Sequence, residues 1–392
     1  MKKFYKHLLI LITILNFFYQ IYSFDRSFFY RASSFWDEPR FDRNWLTTIN
    51  TQIAGGTTSC SRNGCSDKVP LFGLYGPESL LIGQDYRKIM FTGYFDIFEV
   101  NLNIYQNFTN GLFLHVHVPA VSAQIFPDSC KEYNRDCSLF SRFKQRDLIM
   151  LKDSLKGCDL SLRSIRNRGF SDTSVFLGWT INYEDTNYLD YIDGAFQLGA
   201  LFPTGKKKNP NLVFDIPFGY GGHYGITWLI DIAIGGYDWL TFGIHNDGVG
   251  FFDTTQCISI RTQESKTGII RLEKAITKIK SGPVYRTGAY IKADHVCWGL
   301  SILTGFSFEQ KDKSKIICLN SELSKNIANN DEILKKWNRW NLNILAEYDF
   351  AKYNRLFNPF VSILYNYTIT GKRIFTTNMI GGYFGFNIDW CF

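Results

Sequence analysis

The chain holds 392 residues, 45% of them hydrophobic and 17% aromatic, with a formal charge of +7 and a mean hydropathy of −0.13. A bundle of membrane-crossing helices needs several apolar runs of about 20 residues, and only one candidate exists, at the start. The charge is modest and the aromatic residues follow strand periodicity, so neither calls for a nucleic-acid partner.

The opening "MKKFYKHLLILITILNFFYQIYS" sets Lys2, Lys3 and Lys6 before an apolar stretch from Leu8 to Phe18 and a small residue, Ser23. This order predicts a secretory signal peptide over 1–23. A short periplasmic segment over 24–43 and a single domain over 44–392 are expected to follow. Among the nine cysteines, Cys60 and Cys65 lie close together, as do Cys130 and Cys137, each pair spaced to close a small loop by a disulfide in an oxidising compartment. Partners at zinc-finger spacing do not accompany them.

From Trp45 onward the chain breaks into alternating segments, the pattern of strands whose successive side chains point to opposite faces. "WLTTINTQIA" puts Trp45, Thr47, Ile49, Thr51 and Ile53 on one face, and "VNLNIYQN" sets Val100, Leu102 and Ile104 against Asn101 and Asn103. "GLFLHVHVPA", "SVFLGWTINY", "AFQLGALF", "ITWLIDIAIGG" and "DWLTFGIHND" continue the series. "VYRTGAYIKAD", "VCWGLSILTGFSF", "WNLNILAEYDF", "FVSILYNYTI" and "GGYFGFNIDWCF" complete about twelve strands.

The connections take turns in length. Short ones read "NFTN", "EDTNYLD", "GGYD", "KADH" and "AKYNRLFNP"; long ones lie between them. A soluble sandwich has no reason for this, whereas a transmembrane barrel has short turns at one rim and long extracellular loops at the other. In hydrocarbon every backbone polar group needs a partner, so the sheet must close on itself and its last strand must pair with its first. The sequence therefore predicts an all-β, antiparallel, up-and-down transmembrane β-barrel of 12 to 14 strands. Trp45, Trp179, Trp239, Trp340 and Trp390, all near strand ends, supply an aromatic girdle.

Within the long connections, 141–167 has partial helical periodicity suited to a helix in or over the mouth, and "NNDEILKKWNRW" (329–340) to a short helix leading into a strand. The stretch from Ala54 to Tyr86, with apolar Leu71 to Leu74, suits a loop folded inward as a constriction. Lys206-Lys207-Lys208 reads as a solvated loop tip or as a contact for anionic lipid headgroups.

With its leader and its terminal aromatic strand "FGFNIDWCF", the chain resembles a bacterial outer-membrane β-barrel. The final Phe392, preceded by alternating aromatic and aliphatic residues, is similar to the signal read by the barrel-assembly machinery. That resemblance implies a Gram-negative outer-membrane location, with lipid and the assembly machinery as partners. A narrower likeness covers about 172–250. Leu198, Gly199, Pro203, Thr204 and Gly205, followed by "DIPFGYGGHYG", resemble the strand-then-"PTG" element of outer-membrane proteins of phenol-degradation pathways, relatives of the long-chain fatty-acid transporters. It implies passage of small solutes, hydrophobic ones included.

The polar strand faces give the candidate lumen-lining set: Glu99, Asn101, Asn103, His115, His117, Thr180, Asn182, Gln197, Asp231, Asn341, Asn343 and Glu347. His115 and His117 share a face, but no third metal ligand accompanies them, and no cofactor is expected. The expected function is a porin-like channel or transporter for small solutes. One alternative is an enzyme: "FGIHNDGVG" resembles the catalytic neighbourhood of the outer-membrane phospholipase, but Asp247 stands where the nucleophilic Ser belongs, and acyl transfer needs that hydroxyl. A non-enzyme is therefore expected. The other alternative is a non-conducting structural or adhesive barrel acting through its loops.

Overall fold

The computed structural model describes residues 45–82, 85–132, 145–184, 189–236, 239–262, 268–297, 299–319, 325–350, 357–376 and 378–389. The expected signal peptide, the 24–43 segment, Cys137, Trp390 and Phe392 lie outside them. Twelve strands form the wall: β1 (Leu46–Thr58), β2 (Asp85–Asn107), β3 (Leu112–Glu132), β4 (Thr173–Glu184), β5 (Tyr191–Phe202) and β6 (Gly225–Gly236), then β7 (Leu240–Phe251), β8 (Val284–Cys297), β9 (Leu300–Lys311), β10 (Trp337–Asp349), β11 (Phe357–Lys372) and β12 (Asn378–Asp389). Each pairs antiparallel with its neighbours in sequence. β1 meets β12 in a register running from Leu46 opposite Asp389 to Gly55 opposite Ile380, so the cylinder is closed by the strand expected to close it. No helix among the described residues is long and apolar enough to cross a membrane.

The alternation predicted from sequence is the alternation of the wall. On β6, Ile226, Ile230, Ile232 and Ile234 are exposed, whereas Thr227, Leu229, Asp231 and Ala233 are buried. On β12, Phe384 points out while Tyr383 and Asn387 point in. In water such an outer face would be an aggregation surface; against lipid tails it is the solvated one. Trp45, Trp179 and Trp239 stand exposed at the short-turn rim and Trp340 at the long-loop rim, the two levels a bilayer-spanning wall needs.

Four bulky residues on the inner face sit directly across from glycines: Phe113 from Gly178, Phe176 from Gly199, Tyr290 from Gly243 and Phe360 from Gly385. A Cβ on Gly178, Gly243 or Gly385 would come within 2.1–2.2 Å of the partner ring. The missing side chain lets each ring lie flat on the wall instead of crossing the interior.

β2 and β3 are longer than a bilayer requires and rise beyond the long-loop rim. There their inward residues turn apolar: Ile89, Phe91, Phe95 and Ile97 on β2, Val121, Ala123 and Ile125 on β3. Against them pack a 3-10 turn, Leu71–Tyr75, helix α1 (Gln145–Lys156) through Leu151 and Leu155, and Leu212, Val213, Phe214, Phe218, Ile269 and Ile270 from other loops. Phe214 contacts Phe72 and Phe91, with ring centroids 4.6 and 5.3 Å apart. The long loops thus form a cap with its own apolar core. The expected inward-folded loop and mouth helix are both part of it.

Three local expectations are corrected. "KADH" is not a turn: β8 runs on to Cys297, its register shifts between Ala293 and Cys297, and the reversal comes at Gly299, whose φ of +98° suits glycine. The short helix expected within 329–340 is a single 3-10 turn, Glu332–Leu334, which follows the helix Lys325–Asn329, has Asp331 as its N-cap and leads into β10. Cys60 and Cys65 are free thiols, one opening a strand (Cys60–Arg62) that pairs with Lys68–Pro70, the other in the connecting turn.

Candidate functional site

The interior is built by every second residue of the wall, and its chemistry differs around the ring. On the side of β1 to β5 it is made of amides and imidazoles. Asn103 Nδ2 donates to Asn50 Oδ1 at 2.9 Å, and Asn103 Oδ1 lies 2.8 Å from His117 Nδ1 and 3.2 Å from His115 Nε2. His115 Nδ1 lies 3.0 Å from Gln197 Oε1. Both ring nitrogens of His115 therefore face side-chain amides, each of which can offer either its oxygen or its NH2 to the ring. The ring is stacked between Tyr105 and Phe176, at centroid distances of 4.0 and 5.0 Å. Higher on β2, Asn101 donates to Glu99 and reaches Gln52 Oε1 at 3.4 Å.

Across the ring, β7 to β10 carry a row of alternating charge. Asp247, Arg286, Glu309 and Arg339 are successive cross-strand partners, all buried. Arg286 Nε donates to Asp247 Oδ1 at 2.9 Å, and Arg339 Nε to Glu309 Oε2. His245 Nε2 lies 3.0 Å from Asp247 Oδ1, and the Tyr290 hydroxyl donates to Asp231 at 2.9 Å. Opposite charges directly across a ladder support one another, and away from water each group's alternative to its partner is an uncompensated charge. A third stretch returns to amides: Asn366 Nδ2 donates to Asn343 Oδ1 at 2.9 Å, Thr368 Oγ1 to Asn341 Oδ1 at 3.2 Å, and the Tyr383 hydroxyl to Glu347.

Of the sequence-named set, Glu99, Asn101, Asn103, His115, His117, Gln197, Asp231, Asn341 and Asn343 are buried inside, and Glu347 is half-buried. Thr180 is buried at the short-turn rim, where its hydroxyl donates to Gly111 O, a contact that braces a turn. Asn182 is exposed at the same rim beside Glu184. The sequence reading missed Arg286, Glu309, Arg339, Asn50 and Gln52. Asn50 and Gln52 lie on the polar face of a strand already read as alternating, and the period-two count extended to the strand ends reaches Glu309 and Arg339, but their alignment with Arg286 depends on cross-strand register. Among the described residues no group of three or more His, Cys, Asp and Glu gathers as a metal would require. His245, the residue of the phospholipase likeness, points inward and is 2% exposed, away from the lipid an outer-membrane lipase must reach.

The "PTG" element is a loop clamp. Thr204 Oγ1 donates to Ser171 O at 2.6 Å, and the Asp172 carboxylate accepts from Gly205 N at 2.9 Å and Tyr220 N at 2.6 Å. Burial raises the Asp172 carboxyl above its usual range against those two N–H donors.

A second polar centre lies in the cap. Arg271 makes a two-pronged contact with Asp331, with Nε 2.6 Å from Oδ2, and donates from Nη1 to Gly268 O at 2.7 Å. Beside it, Glu78 Oε1 accepts from the N–H groups of Ile269 and Ile270. Burial pushes the Glu78 carboxyl up to about 7, against the pull of those donors and of Arg271. These contacts tie three loops together.

Comparison with solved structures rests on this geometry. An outer-membrane channel from Pseudomonas putida F1 superposes over 91% of this chain and 100% of its own, with a TM-score of 0.54 and 9% sequence identity. This chain has the fold of an outer-membrane β-barrel. The barrel also aligns with the toluene transporter TbuX of Ralstonia pickettii, over 89% of this chain and 90% of that one, at a TM-score of 0.35 and 8% identity. A FadL homologue from Pseudomonas aeruginosa aligns over 88% and 90%, at 0.29 and 8%. No protein-family model matches the barrel's sequence, and no curated protein matches it.

Proposed function

We propose that the barrel is an outer-membrane channel for small polar solutes, closed in this state by its cap of long loops. The observation that carries this reading is the polarity of the interior. Amides, imidazoles and paired charges line the wall, and the bulky rings are laid flat over glycines. In this state those groups are shielded and paired with one another; burying so many is costly compared with an apolar filling, and a polar path that opens past them is the use that repays it. The pathway residues would be Asn101, Asn103, His115, His117 and Gln197 on one side and the Asp247-to-Arg339 row on the other. A hydrophobic solute, as the phenol-pathway likeness implies, would meet apolar surface in the cap core and, in the wall below it, in the inward cluster of Tyr290, Leu303, Leu345, Phe360, Leu364 and Tyr383.

The test is planar-bilayer recording of the refolded protein beside a variant lacking 60–75, which removes the 3-10 turn from the cap. We expect rare openings from the parent and frequent ones from the deletion. Silence from both, with folding intact, would remove the channel reading and leave the non-conducting barrel acting through its loops. The well-packed cap core is the observation on that second side.

A further inference from the structure

Beyond the long-loop rim, between β7 and β10, the loops build a small antiparallel sheet of Thr254–Ile260, Glu273–Lys280 and Lys315–Cys318. One face is buried through Ile260, Ala275 and Ile316. The other face carries lysines. Lys280 and Lys315 are direct cross-strand partners, and Lys278 precedes Lys280 on the same face. Like charges directly opposite in a ladder destabilise it. A single carboxylate, Asp253, serves two of the three, its Oδ2 lying 3.1 Å from Lys278 Nζ and 3.7 Å from Lys280 Nζ. Those two lysine side chains are 44% and 52% exposed. The charges of Lys207 and Lys311 reach the same neighbourhood, where His223 donates Nδ1–H to Phe252 O at 2.8 Å. Asp312, the nearby acid on the 311–315 connection, has Lys336 3.8 Å away.

The position of this patch says what it meets. Asp253 follows Phe252, and Phe252 N–H donates to Tyr224 O at 2.9 Å. Both aromatic side chains are exposed, directly above the isoleucine face of β6. Passing outward, the surface therefore runs from aliphatic to aromatic to cationic. That is the order of a bilayer's hydrocarbon, interface and headgroup levels. We propose that Lys278, Lys280 and Lys315 form a docking site for phosphate-bearing lipid headgroups in the leaflet on the long-loop side. The Lys206-Lys207-Lys208 run, which reads from sequence as a solvated loop tip or a headgroup contact, is exposed at Lys206 and Lys207, and Lys206 Nζ donates to Asn167 Oδ1 at 2.5 Å.

The test uses the full barrel refolded in neutral detergent, with native mass spectrometry to measure retention of lipid A and of enzymatically dephosphorylated lipid A. The parent retains the phosphorylated form preferentially. Combining Lys278→Gln, Lys280→Gln and Lys315→Gln weakens retention at least about tenfold. Asp253→Asn, which keeps the lysines and removes the one negative charge, strengthens it. Equal retention of the two lipids, equal retention by the parent and the triple variant, or weaker retention by Asp253→Asn would each overturn the proposal. Loss of the lipid in millimolar inorganic phosphate would reduce the patch to a simple anion site and overturn it as well. The heat-modifiable gel shift of the barrel reports folding of every variant.

Discussion

Glu78→Gln isolates the electrostatics of the cap. The carboxyl is buried and has only backbone donors and Arg271 to support its charge, so its pKa rises from the usual 4.5 to about 7. A raised carboxyl pKa means that the folded cap prefers the protonated form. Its stabilising contribution is complete below about pH 4.5 and is lost as pH rises through 7. The difference of 2.5 between those two values, at about 1.4 kcal/mol per unit, sets a ceiling of about 3.5 kcal/mol, most of it already lost at neutral pH. Glutamine keeps a carbonyl oxygen for Ile269 and Ile270 and cannot ionise. The variant should hold the cap at pH 8 as firmly as the parent does at pH 5. Hydrogen exchange at the amides of Ile269 and Ile270, corrected for intrinsic rates, reads this directly. The parent should lose protection by up to about two orders of magnitude between pH 5 and 8, and the variant should show a flat profile. A flat profile in the parent, or an unchanged slope in the variant, would refute the assignment of this energy to Glu78.

Three further outcomes follow from the interior. Arg339→Leu leaves Glu309 buried without its main partner and should cost about 3–5 kcal/mol in urea unfolding, whereas Arg339→Leu with Glu309→Leu should recover most of it; a double variant as weak as the single would contradict the pairing. His115→Leu strips hydrogen-bond partners from Asn103 and Gln197, so about 2–4 kcal/mol of thermal or urea stability should go, and a loss below 1 kcal/mol would argue against that network. Gly243→Ala drives a methyl into the Tyr290 ring, which must leave the wall and its Asp231 partner. A cost of about 1–3 kcal/mol is expected, and single-channel current in the open state should fall if the ring swings into the path.

The wall was legible because a barrel in a bilayer puts opposite solvents on its two faces, so each strand announces both. Ile230 beside Asp231 and Phe384 beside Tyr383 carry that contrast in adjacent letters. Above the bilayer the contrast fails. Phe91, Phe95 and Ile97 on β2 face inward into an apolar cap while Tyr94 and Phe98 stand exposed, so neither side reads as lumen. The charged row was lost for a related reason. Arg286, Glu309 and Arg339 lie next to polar loops, where one more charged residue does not stand out, and only the cross-strand register brings them into line. Within 329–340 the helix shortens to one 3-10 turn because β10 begins at Trp337, and no local pattern encodes the Arg271 partner of Asp331.

The contact between Leu46 and Asp389 joins strands from opposite ends of the described chain, so ring completion has no short-range substitute. Every other step in assembling the wall can proceed hairpin by hairpin, on microsecond timescales for each pair. The closing step must search the longest loop the molecule has, and topologies dominated by such distant pairings fold slowly. Until it succeeds, β1 and β12 each offer a row of unpaired amides and carbonyls to any neighbouring copy. The seam that completes the ring is thus also the one that removes its last two open edges.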